Sequence, residues 1–191
     1  MAYRRKIVAP KKTNWVSYLV IFSILAFFLV GLTFYLLPFV RYYEMEKALM
    51  ERDVGTVVNY IKADDLKANL LKRKGVIALR PSNPTSQAPL SLVDLAIAWY
   101  QKMGKGGFER TFTTEGLYAL ITEVGQGRGV EESTGALINR IIKNTSFEYE
   151  SIDEFSLRAK DPQGRLVGYV TFRFQREGFN WRLVDIQFPL F

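Results

Sequence analysis

The chain has 191 residues, with 26 lysines and arginines against 19 acids, and neither a histidine nor a cysteine. Without those two residue types it lacks the usual neutral-pH base, the commonest metal ligand, any thiolate nucleophile and any disulfide framework. The net charge of +7 is unevenly spread: residues 1–40 hold five basic groups and no acid, leaving 21 basic and 19 acidic groups in residues 41–191. A nucleic-acid partner is therefore not indicated, because the imbalance belongs to one end of the chain.

That end is a basic tail (residues 1–14) followed by Trp15 to Val40, 26 consecutive residues without a charge. A hydrocarbon layer about 30 Å thick needs roughly 20 apolar residues in a helix, so the run is long enough to cross. Arg4, Arg5, Lys6, Lys11 and Lys12 precede it, whereas Arg41, Glu44, Glu46 and Lys47 after it roughly cancel. Basic residues stay on the cytoplasmic side, which predicts a cytoplasmic N-terminus and a periplasmic or otherwise extracytoplasmic body in the inner (plasma) membrane. The five cations suit anionic headgroups, and Trp15 and Tyr18 at one interface and Tyr35, Tyr42 and Tyr43 at the other suit the aromatic belts. The competing reading is a cleaved secretory signal. The run is longer than such signals, and Leu36-Leu-Pro-Phe-Val40 lacks a small-x-small site, so an uncleaved signal anchor is expected.

The body, residues 41–191, has the length of one domain. Its first part, 41–79, reads as helical. Tyr42, Met45, Leu49 and Met50 share a face that can continue straight from the span. Asp53 or Thr56 suits a cap, Val57, Val58 and Ile61 follow, and Asp64 suits another cap with Leu66, Leu70 and Leu71 inward. Lys67, Lys72, Arg73 and Lys74 make a basic patch, read as a solvated face or as a contact for headgroups or an acidic partner. Residues 80–90 contain three prolines and form a loop.

A second helical part, 91–143, opens with Ser91 and Asp94 in a capping-box spacing, followed by a buried stripe of Leu92, Leu95, Ala96, Trp99 and Met103. Thr113 or Thr114 caps a helix with Leu117, Leu120, Ile121 and Val124 inward. Another runs from about Glu131 to Lys143, burying Leu137, Ile138, Ile141 and Ile142. Asn144-Thr-Ser146 matches a glycosylation tripeptide, relevant only in a eukaryotic secretory pathway. From 145 to 189 the period becomes 2, with strands over 147–152, 155–160, 166–174 and 179–188 and a turn at Asp161-Pro-Gln-Gly164. Helices first and short-linked strands last predict an α+β fold: one transmembrane helix, a helix-rich segment, then an antiparallel sheet of three to four strands.

The chemistry is sparse. Gly125-Gln-Gly-Arg-Gly129 and Lys105-Gly-Gly107 follow helices and lack the spacing of phosphate loops, so they read as helix terminators. The acidic pairs Asp64-Asp65, Glu131-Glu132 and Asp153-Glu154 stand where helices or strands begin, and structural roles are expected. Asp185, two residues after Leu183 and four after Trp181, is expected on their face, buried and paired with Arg173 or backbone donors. No catalytic residue, metal or cofactor is expected.

Three patches carry a resemblance. Trp181-Arg-Leu-Val-Asp-Ile-Gln-Phe-Pro189 resembles the Trp-Lys-Leu-Thr-Asp-Ile-Arg-Leu-Pro ending of a bacterial family of small membrane-anchored proteins of unknown function. Ala48-Leu-Met-Glu-Arg-Asp53 with Val57 to Ile61 resembles its opening helix, and Phe112-Thr-Thr-Glu-Gly-Leu117 its Val-Thr-Pro-Glu-Gly-Leu element. Lys62-Ala-Asp64 departs from that family's Asp-Phe-Pro. The last strand has a looser likeness to cone-shaped nuclear-transport-factor-type domains, which often enclose a pocket. Neither resemblance supplies a catalytic residue.

The functional expectation is a non-enzymatic, single-pass accessory protein in contact with membrane lipid, whose outer domain docks on a membrane protein complex. The alternative is a domain that binds a lipid or small apolar ligand beneath the sheet, its pocket lined by Trp99, Phe172, Phe174 and Trp181. A carboxylate-based hydrolase is a third reading.

Overall fold

The computed structural model describes residues 15–72, 79–80, 88–126, 128 and 132–189. Of the predicted site residues, Arg4, Arg5, Lys6, Lys11, Lys12, Arg73 and Lys74 lie outside these, as do Glu131 and most of the proline-rich loop. The helices are α1 (Trp15–Glu51), α2 (Val54–Asn59), α3 (Ala63–Lys72), α4 (Leu92–Lys102), α5 (Thr114–Val124) and α6 (Thr134–Asn144), with a 3-10 turn at Phe108–Phe112. The strands β1 (Thr145–Tyr149), β2 (Glu154–Lys160), β3 (Tyr169–Glu177) and β4 (Asn180–Gln187) follow. The chain divides into two compact units between Leu37 and Pro38.

In the first unit, α1 leaves its apolar side chains, Trp15 and Tyr18 among them, exposed. By length and composition this helix is a candidate membrane span. Pro38 lies inside α1, and the helix runs on to Glu51. The missing N–H of a proline costs one helical hydrogen bond without ending the helix here.

The second unit is mixed α+β. Its four strands form an antiparallel sheet in the order β1-β2-β3-β4. Alternation puts Phe155, Leu157, Val170, Phe172, Phe174, Trp181 and Leu183 in the core, while polar residues such as Glu148 and Arg158, 3.1 Å apart, pair on the other face. Helices cover the apolar face. The Phe39 ring on α1 lies 4.2 Å from that of Phe147 and 5.4 Å from that of Phe155. The free edge of β4 is met by the α2–α3 link: Lys62 N–H donates to the Leu183 carbonyl (3.0 Å) and Leu183 N–H to that of Tyr60 (2.7 Å). That closes an edge otherwise open to strand addition.

A bulge in β4 corrects the expected placement of Asp185. Phe174 pairs with Leu183, but Arg173 pairs with Asp185, so Val184 is an extra residue. An inserted residue reverses the alternation. Trp181 and Leu183 therefore face the core, whereas Asp185 sits on the opposite face across from Arg173. It is buried there and accepts from Gln187 (3.2 Å). The Arg173 guanidinium donates to Glu150 (3.1 Å) and Glu154 (3.3 Å).

Local caps follow the sequence in most places. Asp53 accepts from Thr56 N–H and caps α2. Ser91 and Asp94 form the capping box of α4, and Thr113 caps α5 through Gly116 N–H. Gly116 is required for another reason: a Cβ there would stand 1.8 Å from the Arg110 carbonyl oxygen. Asp64 is not a cap but lies in the first turn of α3, and Leu71, expected inward, is half exposed. The larger departure is in α6, where Leu137 is buried but Ile138 and Ile142 are 44% and 67% exposed.

Candidate functional site

The stripe of α1 that enters the core carries a charge. Glu46 lies one turn after Tyr42 and next to Met45, and it is 1% exposed. A buried carboxylate must find donors, and Glu46 has three. Tyr42 Oη donates to it at 2.9 Å, Leu92 N–H at 3.0 Å and Arg140 Nη1 at 3.2 Å. Burial nevertheless pushes its pKa up, against the Arg140 charge and the hydrogen bonds that pull it down. The Leu92 contact puts the carboxylate at the positive N-terminal end of α4. Arg140 also reaches Glu132 (3.1 Å), so one guanidinium ties α6 to α1. The hollow beside this cluster is about 10 Å³, room for roughly one water. The cluster is a closed structural clasp.

Tyr42, expected as a ring of the outer interface, is instead buried, with its hydroxyl spent on Glu46 inside the core. Tyr43, the next residue around the helix, does reach the surface. With Phe39 and Val40 on α1, Ile138, Ile141 and Ile142 on α6, and Phe147 on β1, it lines a groove of about 340 Å³. All seven side chains are apolar or aromatic. Val40 is 47% exposed, and with Ile138 and Ile142 it leaves a contiguous greasy strip. The i, i+4 spacing of the two isoleucines puts them on one side of α6. In the sequence that spacing reads as core.

A second buried acid stands two residues into α4. Asp94 is 2% exposed. Its Oδ1 takes Arg165 Nη2 (2.5 Å) and Gln163 Nε2 (3.2 Å), and its Oδ2 takes Ser91 N–H (2.9 Å) and Ser91 Oγ (2.7 Å). Arg128 Nη1 lies 2.7 Å from Oδ2. Arg165 also pairs with Asp161 (2.8 Å). Burial raises the Asp161 pKa, but the Arg165 hydrogen bonds and charge outweigh it, so the net shift is downward. This cluster borders a hollow of about 310 Å³, lined also by Arg80, Gln101 and Glu123.

Other predicted residues are not gathered into a site. Trp99 stacks on Phe112 at 5.5 Å, and Phe155 bridges Phe174 and Trp181 at 6.2 Å each. Trp99, Phe172, Phe174 and Trp181 fill the core and line none of the hollows described here. Lys67 and Lys72 stand five positions apart on α3, so they do not share a face. Lys62 nearby is held by Asp65 (2.8 Å) and Glu177 (2.9 Å). A further hollow, about 800 Å³, is a shallow surface between Leu71, Tyr100, Met103 and Lys105. Among the described residues no cluster of acids could hold a metal.

No family model, curated protein or solved structure matches this chain.

Proposed function

We propose that the chain is a single-pass membrane-anchored accessory protein, non-enzymatic, with its N-terminus in the cytoplasm and its α+β domain outside. That domain docks on a helix of another membrane protein through the groove between α1 and α6. The exposed isoleucine strip carries this reading. Leaving a large aliphatic side chain in water forgoes roughly 1.5–3 kcal/mol of burial, and contiguous apolar surface of this kind marks interaction sites.

The occupant follows from connectivity and shape. Val40 is both the last residue of the uncharged run and part of the groove, so whatever fills the groove must be apolar close to the end of the span. A hollow of about 340 Å³ receives the protruding side chains of a helix, as helix-in-groove recognition does. A fluid lipid surface asks instead for a convex apolar face.

The test is a photo-crosslinking amino acid at Ile142 of the full chain in intact membranes. The expected result is one discrete protein adduct that disappears when Ile138→Ser is added. Adducts to lipid alone overturn the docking. Protease added to sealed, right-side-out vesicles checks the orientation and is expected to reach the domain.

A further inference from the structure

The hollow beside Asp94 brings together arginines from three distant parts of the chain. Arg128 follows α5 and Arg165 ends the β2–β3 turn, while α4 supplies Asp94. Arg80 joins them by backbone pairing: its N–H donates to the Arg165 carbonyl (2.8 Å), and Leu79 bridges Leu166. The sequence alone shows none of this.

We infer that this hollow binds a compact phosphate-type oxyanion, held by Arg80, Arg128 and Arg165. Three observations support the assignment. The first is charge. Arg128 and Arg165 pair with the Asp94 and Asp161 carboxylates, and Arg80 adds a third guanidinium to the lining, which leaves one positive charge, while Glu123 at the rim is held by Lys102 at 2.8 Å. The second is that Asp94 is already saturated. Both its oxygens are occupied by Ser91, Gln163 and Arg165, so it orients the arginines more than it competes for them. The third is a donor left open. Arg128 Nη1 is buried and close to Asp94, yet the contact is not aligned as a hydrogen bond, and it has no other partner among the described residues.

Guanidinium forks match the planar pairs of oxygens on phosphate, and such charge-assisted bonds are the strong ones. A hollow of about 310 Å³ admits a phosphate or a headgroup and excludes a nucleic-acid duplex. One residual positive charge suits a singly charged phosphate, whether free or esterified in an anionic lipid. This site is separate from the groove and does not depend on the docking proposal.

Both sources are tested on the full chain in maltoside micelles, which contain no phosphate. One arm titrates inorganic phosphate against chloride at constant ionic strength. The other adds phosphatidylglycerol to the micelles in phosphate-free buffer. The melting temperature, followed by tryptophan fluorescence, is expected to rise saturably in at least one arm. A response to phosphate assigns a free anion, and a response to phosphatidylglycerol alone assigns a headgroup. Arg80→Ala removes an exposed side chain and leaves the fold in place, and Arg128→Lys keeps the charge against Asp94 while removing the fork. Either is expected to weaken binding roughly tenfold or more, with Arg158→Ala on the outer sheet face as the unaffected control. Absence of saturation in both arms, or binding unchanged by both substitutions, overturns the site.

Discussion

Glu46 and Asp94 are two buried acids at the same helix start, and they differ in what surrounds them. Glu46 accepts from the first N–H of α4 and rests on one arginine, with space beside it for about one water. Asp94 accepts from the cap residue of the same helix, is shared by two arginines, and borders a hollow some thirty times larger. The same acid–arginine chemistry is sealed in one place and accessible in the other. Burial of a charge alone does not mark function; a buried pair beside empty space is the more informative sign.

Removing single arginines sharpens that contrast. Arg140→Ala strands the Glu46 carboxylate and is expected to cost about 3–5 kcal/mol in denaturant unfolding, the range for breaking a buried pair from one side. Arg128→Ala leaves Asp94 with Arg165 and Ser91, and about 1–2 kcal/mol is expected. Equal losses in the two variants would erase the distinction between clasp and site.

Acid–base titration separates the two centres by sign. The Glu46 pKa is raised, so its contribution to stability is complete below the unfolded-state value and is lost as pH rises through the folded-state value. The Asp161 pKa beside Arg165 is lowered, so its contribution is present above the unfolded-state value and is lost as pH falls through the folded one. Relative to the parent, Glu46→Gln is therefore expected to gain stability as pH rises above about 4.5. Asp161→Asn is expected to lose its deficit as pH falls below about 4. Each slope is at most about 1.4 kcal/mol per pH unit. Parallel curves for the two variants would refute the assigned directions.

The legible parts of this molecule are those written locally. An uncharged run, a Ser91–Asp94 capping box and a switch from period 3.6 to period 2 each lie within a short window, and each has its structural counterpart. Glu46 was within reach of the same reasoning. It stands on the stripe of Tyr42, Met45, Leu49 and Met50, and an acid on a buried stripe signals a clasp. The bulge at Val184 was not readable, because one inserted residue changes the face of everything after it without changing composition. Nor was the exposure of Ile142, since an apolar period looks the same whether its partner is the protein's own core or another molecule. The arginine hollow joins residues 80, 94, 128 and 165, and contacts so far apart along the chain leave no periodic trace.

The helix that begins at Trp15 ends at Glu51, and its last turns supply Met45, Glu46 and Leu49 to the folded interior. The same helix is thus also a building block. A cut just beyond Val40 leaves those side chains with the domain but strips away Phe39, whose ring packs on those of Phe147 and Phe155. A shortened form that keeps this packing has to retain the stretch from Pro38 onward, greasy stump included.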